Sequence, residues 1–468
     1  MRHSNGKYRH STGVVLTQTE LAASRDVKPV RTVSSDTDRI SLDGRGTPKP
    51  FIRPGCQRVY VHSSDRDRVV LAAVVFAVLF SQLLLYPGIA DLVAVFSADT
   101  ATSPFTETTL DASMWFLVAE FAAYVVFVGL WGVVSDATGR RTPFIVAGAL
   151  AGAGGYAGLA LIGAYASLPF EGILLIRAFQ GAMTVGALSL TMTMLMDLDG
   201  GHGRNMGAAG IAIGLGAATG APVGGQLTAI DPLAPLAAAA LLLCLVGLTV
   251  TLVTDRAPQT HKTASAILDS VRRRPTLSIP YTFGFIDRLT AGFFALVGTL
   301  YFQATFEIDA ALTGLLLACF FAPFALLQYP MGILSDRIGR TIPIVVGSLC
   351  YGVGILAVGA APTVTVAAAT MILVGVLGAL ISPATMALVT DLAADSERGV
   401  AMAGFNLAGS LGFLAGFLIG GTVASTYGYD LAFLVVGGLE IGIALIAAPI
   451  FVRLSLGSAP AGLEEQEI

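Results

Sequence analysis

The chain is 468 residues long, 54% hydrophobic and 12% charged, with a formal net charge of −4 and a mean hydropathy of +0.76. An ordinary soluble domain is about a quarter charged, so a soluble fold could not bury this much apolar surface and a lipid bilayer is the expected partner. Nucleic acid is not an expected one.

Residues 1–67 form a polar, Ser-rich stretch broken by Arg, Pro and Gly. Without a sustained apolar period it is predicted to be a disordered cytoplasmic tail. No apolar signal-peptide core precedes residue 69, so the stretch does not read as a removed secretory leader. A regulatory tail and an overlong gene start fit it equally. Twelve apolar stretches follow, near 69–90, 113–134, 143–165, 171–195, 206–228, 233–253, 280–303, 311–334, 342–361, 365–390, 400–423 and 431–452. Each is about the 20 residues that a helix needs to cross roughly 30 Å of hydrocarbon. Residues 68–253 and 279–454 are thus predicted to form two six-helix units, joined by a cytoplasmic linker over 254–278 and followed by a cytoplasmic tail over 455–468.

Lys and Arg are held on the cytoplasmic side of membranes. In the twelve-helix reading Arg140, Arg141, Arg204, Arg256, Lys262, Arg272, Arg273, Arg274, Arg337, Arg340, Arg398 and Arg453 share one side with the Arg-bearing leading tail. The opposite loops carry acids such as Asp99, Glu107, Asp111, Asp231, Glu307, Asp309 and Asp430. Both termini are therefore expected in the cytoplasm, in a multi-pass protein of the plasma membrane.

Cys56, Cys244, Cys319 and Cys350 are scattered with no C-x-x-C pair, so neither a disulfide framework nor a metal site is expected. A P-loop requires Gly-Lys-[Ser/Thr]; Lys28, Lys49 and Lys262 follow Val, Pro and His, and Lys7 precedes Tyr8. ATP hydrolysis is not expected, which leaves an ion gradient or facilitated diffusion as the driving force. There is no H-E-x-x-H, no G-x-S-x-G elbow and no cofactor fingerprint, so neither an enzyme nor a cofactor is expected. His3, His10, His62, His202 and His261 all fall in the tail or the cytoplasmic loops, so carboxylates must carry any protons across.

The segment Gly132-Val-Val-Ser135-Asp136-Ala-Thr-Gly139-Arg140-Arg141 recurs as Gly332-Ile-Leu-Ser335-Asp336-Arg-Ile-Gly339-Arg340-Thr341. The offset, 332 minus 132, is 200 residues. It marks a duplicated six-helix unit, the sequence sign of a secondary transporter. The pattern Gly-x-x-x-Asp-x-x-Gly-Arg-[Arg/Lys] in so short a loop resembles the signature between the second and third helices of major facilitator superfamily transporters, and the likeness covers residues 69–453. That resemblance implies the major facilitator fold: an all-α membrane protein with twelve transmembrane helices in two pseudosymmetric six-helix bundles, and a substrate site near the midplane between them.

It also implies that Asp136 and Asp336 accept from the N-terminal end of a facing helix in the other half, and that Arg140 and Arg340 tie helix ends together. A carboxylate beside unsatisfied backbone N–H groups gains about 0.3–2 kcal/mol. Gly132 and Gly332 are expected to permit close helix approach, and Gly139 and Gly339 to serve the tight turn. Thr341 stands where the first copy has Arg141. Two further pairs, Asp197 with Arg204 and Asp391 with Arg398, close the fourth and tenth helices. They read either as parts of one cytoplasmic gating network or as solvated loop charges.

An ionisable residue within the bilayer costs about 2.5–3.5 kcal/mol on insertion scales, which makes Glu120, Arg177, Asp287, Arg288 and Glu440 functional candidates. At 1.5 Å per residue Glu120 on the second span and Arg177 on the fourth lie roughly 10 Å below the outer boundary, level enough to pair. Arg177-Ala-Phe-Gln180-Gly181 resembles the fourth-helix signature Arg-x-x-Gln-Gly of drug and proton antiporters in the same superfamily. The likeness implies that Arg177 supports proton exchange while Gln180 and Gly181 line or pack the same face. Competition between desolvation and a nearby guanidinium decides whether a carboxyl holds a proton, so a coupling role for Glu120 and a static Glu120–Arg177 pair are both open. The 200-residue offset takes Glu120 to Phe320, so the second half lacks that acid. Asp287 and Arg288 are neighbours on the seventh span and project about 100° apart. They read as cavity-lining groups or, with Arg288 snorkelling, as interfacial anchors. Glu440 lies near the middle of the twelfth span.

The fifth span carries Gly216-x-x-x-Gly220-Ala-Pro222-Val-Gly224-Gly225 and the eleventh Gly412-x-x-x-Gly416-x-x-x-Gly420-Gly421. Residues four apart share a helix face, so both spans are expected to present grooves to another backbone. The former run resembles the superfamily's antiporter signature Gly-x-x-x-Gly-Pro-x-x-Gly-Gly with its proline one position late. Pro222 should bend the helix, and general small-residue packing accounts for the glycines equally well.

The expected function is secondary active transport of a small molecule by alternating access, as proton-coupled efflux of an amphipathic or hydrophobic compound by a monomer. A proton-coupled importer or facilitator of a polar nutrient is the neighbouring alternative, and a non-transporting membrane receptor a more distant one.

Overall fold

The computed structural model describes residues 54–97, 104–199, 202–255, 271–394 and 397–457. Residues 1–53, 256–270 and 458–468, which hold most of the expected tails and linker, lie outside the described residues.

Helix α1 (Pro54–Leu83) begins well before the apolar boundary, so the stretch 54–67, expected to belong to a disordered tail, is helical. Proline suits the first helical position, where its missing N–H is not needed, and a helix has no reason to stop where the hydrocarbon does. Charge ties down its polar turns. Arg68, 6% exposed, donates to Asn205 Oδ1 at 2.8 Å and to the Asp199 carbonyl at 2.6 Å, and pairs with Asp65. At the other end the helix stops short of the expected residue 90. Pro87 disfavours helical backbone in the residue before it, and Gly88 sits against Thr228 where a Cβ would clash. A short helix, α2 (Ile89–Ser97), follows.

The first half continues with α3 (Thr109–Thr138), α4 (Thr142–Tyr165), α5 (Phe170–Met196), α6 (His202–Ile230) and α7 (Ala234–Val250). In the second half α8 (Ser278–Phe293) runs through a π-helical turn at Phe294–Gly298 into α9 (Thr299–Phe306). Next come α10 (Ala310–Ile338), α11 (Thr341–Gly359) and α12 (Val364–Leu392). Helix α13 (Arg398–Ala415) passes through a second π turn at Gly416–Gly420 into α14 (Gly421–Tyr427), and α15 (Tyr429–Gly457) is last. Among the described residues ten spans are long and apolar enough to cross a membrane, counting α8 with α9 and α13 with α14. Helix α1 and the 17-residue α7 complete twelve.

The duplication shows in the caps. Thr108 caps α3 by accepting from Asp111 N at 3.0 Å, and Asp309 caps α10 by accepting from Leu312 N at 2.8 Å. Helix α3 ends on Gly139 (φ 63°) and α10 on Gly339 (φ 84°), a conformation that a residue with a Cβ resists. The signature glycines therefore do serve the turns.

The two glycine-rich helices are packing surfaces. On α6, Cβ atoms at Gly216 and Gly220 would lie 2.9 Å from Phe76 O and 2.7 Å from Leu83 Cβ of α1, and the helix continues unbroken through Pro222. On the eleventh span Gly412, Gly416 and Gly420 pack in turn against Phe285, Leu289 and Phe293, which also recur every fourth residue. The two halves meet where α6 packs on α10 and α3 packs on α13.

Candidate functional site

Glu120 lies on α3 and Arg177 on α5, and neither exposes any surface. Gly181, one turn beyond Arg177, brings the two helices together: a Cβ there would lie 2.6 Å from the Glu120 carbonyl oxygen. Arg177 Nη2 donates to Glu120 Oε2 in a fully buried ion pair. Arg177 Nη1 donates to Gln180 Oε1 at 2.6 Å, and Gln180 Nε2 donates to Thr184 Oγ1 at 3.1 Å and to Glu120 Oε1 at 3.4 Å. Tyr124 of α3 meets Thr184 at 3.0 Å, and Gln82 of α1 faces the Glu120 carboxyl. The guanidinium also lies over the rings of Phe116 (4.7 Å) and Tyr156 (5.4 Å), contacts of about 0.5–2 kcal/mol each. The cluster is therefore charge-balanced, fully buried and held from four helices.

The second half repeats the geometry without the charge. Gly375 of α12 packs on the backbone of Phe320 of α10 as Gly181 packs on that of Glu120. One turn before Gly375, where Arg177 precedes Gly181, stands the fully buried Met371.

The next residue on α3 points the other way. Phe121 stacks on Phe413 with ring centroids 4.6 Å apart and meets Phe417 edge-on at 5.2 Å, both from the second half. Two turns earlier Met114 packs against Gly421, and Thr422 Oγ1 donates to its sulfur at 3.8 Å. Along the other seam Gly225 fits against Ala310 and Gly314 against Ala221 and Pro222. Gln303 Nε2 donates to the Pro87 carbonyl at 2.6 Å. These contacts cluster toward the face that carries the acidic loops.

On the opposite, Arg-rich face the glycines near the ends of the spans are open. A Cβ added at Gly132, Gly207 or Gly210 would meet nothing within 4 Å, and at Gly332 only ordinary contact with Pro383 at 3.6 Å. The close approach expected at Gly132 and Gly332 is therefore not made. The ion pairs of Arg141 with Asp197, of Arg340 with Asp336 (2.5 Å) and Asp391 (3.1 Å), and of Arg273 with Glu397 (3.2 Å) on this face do not join the two halves. Asp136 is half-buried with no ion pair to a described residue, and Asp336 turns to Arg340. Among the described residues neither is bonded to a helix end in the other half as the resemblance implied. Of the two helix-end pairs, Asp391 is held by Arg340 while Arg398 donates to the Thr390 carbonyl at 3.3 Å, and the side chain of Arg204 lies outside the described residues.

The signature cations are used out of register. Arg141, 4% exposed, holds Asp197, and its N–H donates to Asp255 at 3.1 Å, whereas Arg140 stays exposed. In the second copy Arg340 does the equivalent work on Asp391, so Thr341 leaves no contact unmade. Partial burial pulls the Arg340 pKa down, and the hydrogen bonds to Asp336 and Asp391 more than reverse this, leaving it above the ordinary arginine value.

Asp287 and Arg288 are divided by their position on α8. Asp287 is 7% exposed and turned into the second half, while Arg288 is exposed, with Nε 3.9 Å from Asp287 Oδ2. They are not brought together with Glu120, Arg177 or Gln180, which all belong to the first half. Glu440 is buried on α15.

The sequence pattern of the Major Facilitator Superfamily matches residues 70–302 and again 281–466. A 163-residue stretch is 32% identical to an uncharacterised MFS-type transporter of Methanocaldococcus jannaschii, covering 35% of this chain and 42% of that protein. A 121-residue stretch is 30% identical to multidrug resistance protein 1 of Bacillus subtilis, covering 26% of this chain and 31% of that one. The matches thus span less than half the length of these curated relatives. Among solved structures a D-xylose–proton symporter superposes with a TM-score of 0.65 at 16% identity, covering 83% of this chain and 97% of the other. A nucleoside transporter does so with a TM-score of 0.64 at 14% identity, covering 81% and 100%. At these identities the likeness is one of fold.

Proposed function

Because this chain belongs to the Major Facilitator Superfamily, we propose that it moves a small molecule across the bilayer by alternating access, as proton-coupled efflux of an amphipathic or hydrophobic compound. The family consists of transporters rather than enzymes. The Arg-rich face is read as cytoplasmic, which makes this conformation open inward and sealed outward, and the protein is taken to act as a monomer in the plasma membrane.

The observation that carries the coupling is the adjacency of Glu120 and Phe121 on α3. Glu120 faces Arg177 inside the first half, and Phe121 faces Phe413 and Phe417 across the seam. With Glu120 ionised, its pair with Arg177 clamps α3 to α5 and presents Phe121 to the outer seal. A proton on Glu120 abolishes the ion pair and leaves Arg177 to Gln180 and the two rings. The α3–α5 crossing loosens, and the aim of Phe121 changes with it. Proton uptake on one side and release on the other then alternate the seal. The aromatic character of the seam supports an apolar substrate, as does the partial likeness to a Bacillus protein named for multidrug resistance.

The test is flux in liposomes holding purified protein, with an imposed pH step and a panel of labelled compounds. Wild type should move a hydrophobic compound against the proton gradient. Glu120→Gln should abolish the pH-driven component while keeping exchange of the compound between the two sides, and Arg177→Ala should lose both. Proton-linked movement unchanged in both variants would sink the coupling role.

A further inference from the structure

The second half buries two carboxyls that this mechanism does not use. Asp287 of α8 and Glu440 of α15 are 7% and 1% exposed, and each lies within the other's electrostatic reach. Between them α11 contributes two hydroxyls, Ser348 and Tyr351, 0% and 1% exposed. Tyr351 lies within electrostatic reach of both carboxyls, and Ser348 lies beside Glu440. The backbones beside them are in contact: a Cβ at Gly352 would lie 2.8 Å from the Gly437 carbonyl, so α11 and α15 close over the cluster.

The charges do not balance. Two acids share one cation, Arg288, whose side chain is 46% exposed and only 3.9 Å at best from Asp287. Among the described side chains the neighbouring helices bring no other: there is no Lys or Arg in α11, from Val364 to Thr390 of α12, from Gly399 to Ala415 of α13 or from Tyr429 to Phe451 of α15. Nor are the oxygens matched. Glu440 Oε2, Ser348 Oγ and Tyr351 Oη are all buried without a hydrogen-bond partner. Buried polar atoms are normally satisfied, and three unsatisfied oxygens around a deficit of one positive charge describe a cation's surroundings. The Glu120–Arg177 cluster, by contrast, is neutral as it stands. Oxygen ligands and unit charge select a proton or a small hard ion over a soft metal.

We propose that Asp287, Glu440, Ser348 and Tyr351 form a binding site for one monovalent cation, supplied as a proton or as sodium, within the core of the second half. The proposal rests on the transport reading but not on Glu120. The bound cation joins α8, α11 and α15, and without it the two carboxylates repel.

A ligand that binds only the folded state raises its stability by mass action, which gives a test independent of flux. The full chain in lipid nanodiscs is melted at alkaline pH in choline chloride, then with sodium chloride at equal ionic strength, then at falling pH. Wild type should melt higher with sodium if sodium is the ligand, or on acidification alone if a proton is. Glu440→Gln removes the excess charge, so it should melt no lower than unliganded wild type and lose the response. Asp287→Asn should behave alike and serves if Glu440→Gln does not yield folded protein. Glu120→Gln should keep the response. Radiolabelled sodium binding should give one ion per wild-type chain and none for Glu440→Gln, or dye-monitored proton uptake one proton fewer per chain in Glu440→Gln than in wild type, beyond any proton taken by Glu120. A Glu440→Gln protein that responds as wild type does, or a response lost only in Glu120→Gln, would overturn the site while leaving the flux experiment to judge Glu120 on its own.

Discussion

Replacing Arg177 with Met should be among the costliest single changes in the chain, and adding Glu120→Gln should repair most of the damage. Both side chains are fully buried. Arg177→Met leaves Glu120 with Gln180 Nε2 at 3.4 Å and the facing Gln82 in place of its ion pair, and deprives Gln180 Oε1 of its donor. Breaking a buried pair from one side costs about 3–5 kcal/mol because an uncompensated charge is left behind, whereas replacing both members by neutral groups of similar volume is close to neutral. The unsatisfied Gln180 oxygen adds about 1–3 kcal/mol. Methionine keeps the apolar volume against Phe116 and Tyr156, so little of the loss is cavity. The assay is a double-mutant cycle on wild type, both single variants and the double, unfolded by denaturant in nanodiscs or mixed micelles. A loss below about 1 kcal/mol for Arg177→Met, or a double variant as unstable as the sum of the singles, would show that the charges are not coupled.

Three further outcomes follow from the geometry. Gly181→Ala, whose Cβ would lie 2.6 Å from the Glu120 carbonyl oxygen, should force α3 and α5 apart at about 1–3 kcal/mol; Gly132→Ala, with nothing within 4 Å, should stay within about 0.5 kcal/mol in the same melts. Cysteines replacing Phe121 and Phe413 in a chain cleared of its own cysteines should be joined by a short bifunctional thiol reagent with loss of transport that a cleavable reagent reverses, and flux that persists after complete joining would disprove a moving seal there. Arg141→Ala should cost about 0.5–3 kcal/mol, because the Arg141 side chain is itself 5% exposed and its truncation removes packed volume as well as the pair to Asp197, whereas Arg340→Ala, whose side chain is 23% exposed and whose partners are solvent-exposed, should cost under about 1 kcal/mol; equal losses on denaturation would contradict the out-of-register use of the two cations.

The span count was legible because a crossing helix needs a long apolar run, and twelve such runs are hard to mistake. Its edges were not. Hydropathy marks where lipid begins rather than where hydrogen bonding stops, so α1 starts at Pro54 in a polar stretch and ends early, before Pro87. The Glu120–Arg177 pair was legible for a similar reason: charge inside a bilayer is rare enough to notice, and equal depth limits the possible partners. Phe121, Phe413 and Phe417 were not, since a phenylalanine facing the other half looks the same in sequence as one facing lipid. Which way it faces is a matter of helix rotation, and apolar spans this uniform give no strong sidedness. The signature glycines at 132 and 332 misled because small size permits a close approach without requiring one, and nothing packs on Gly132 while only Pro383 touches the place of a Cβ at Gly332. Glu440 was noticed, but its hydroxyl neighbours Ser348 and Tyr351 are brought to it only by the packing of α11 on α15.

The matched spacing of Gly412, Gly416 and Gly420 against Phe285, Leu289 and Phe293 works like a toothed rack. Teeth set four residues apart can disengage only by jumping a whole notch, about 6 Å along the axis, and any smaller slip drives a side chain into the facing backbone. The seventh and eleventh spans must therefore swing as one stiff blade. The give needed for opening and shutting has to be found at the seams between blades.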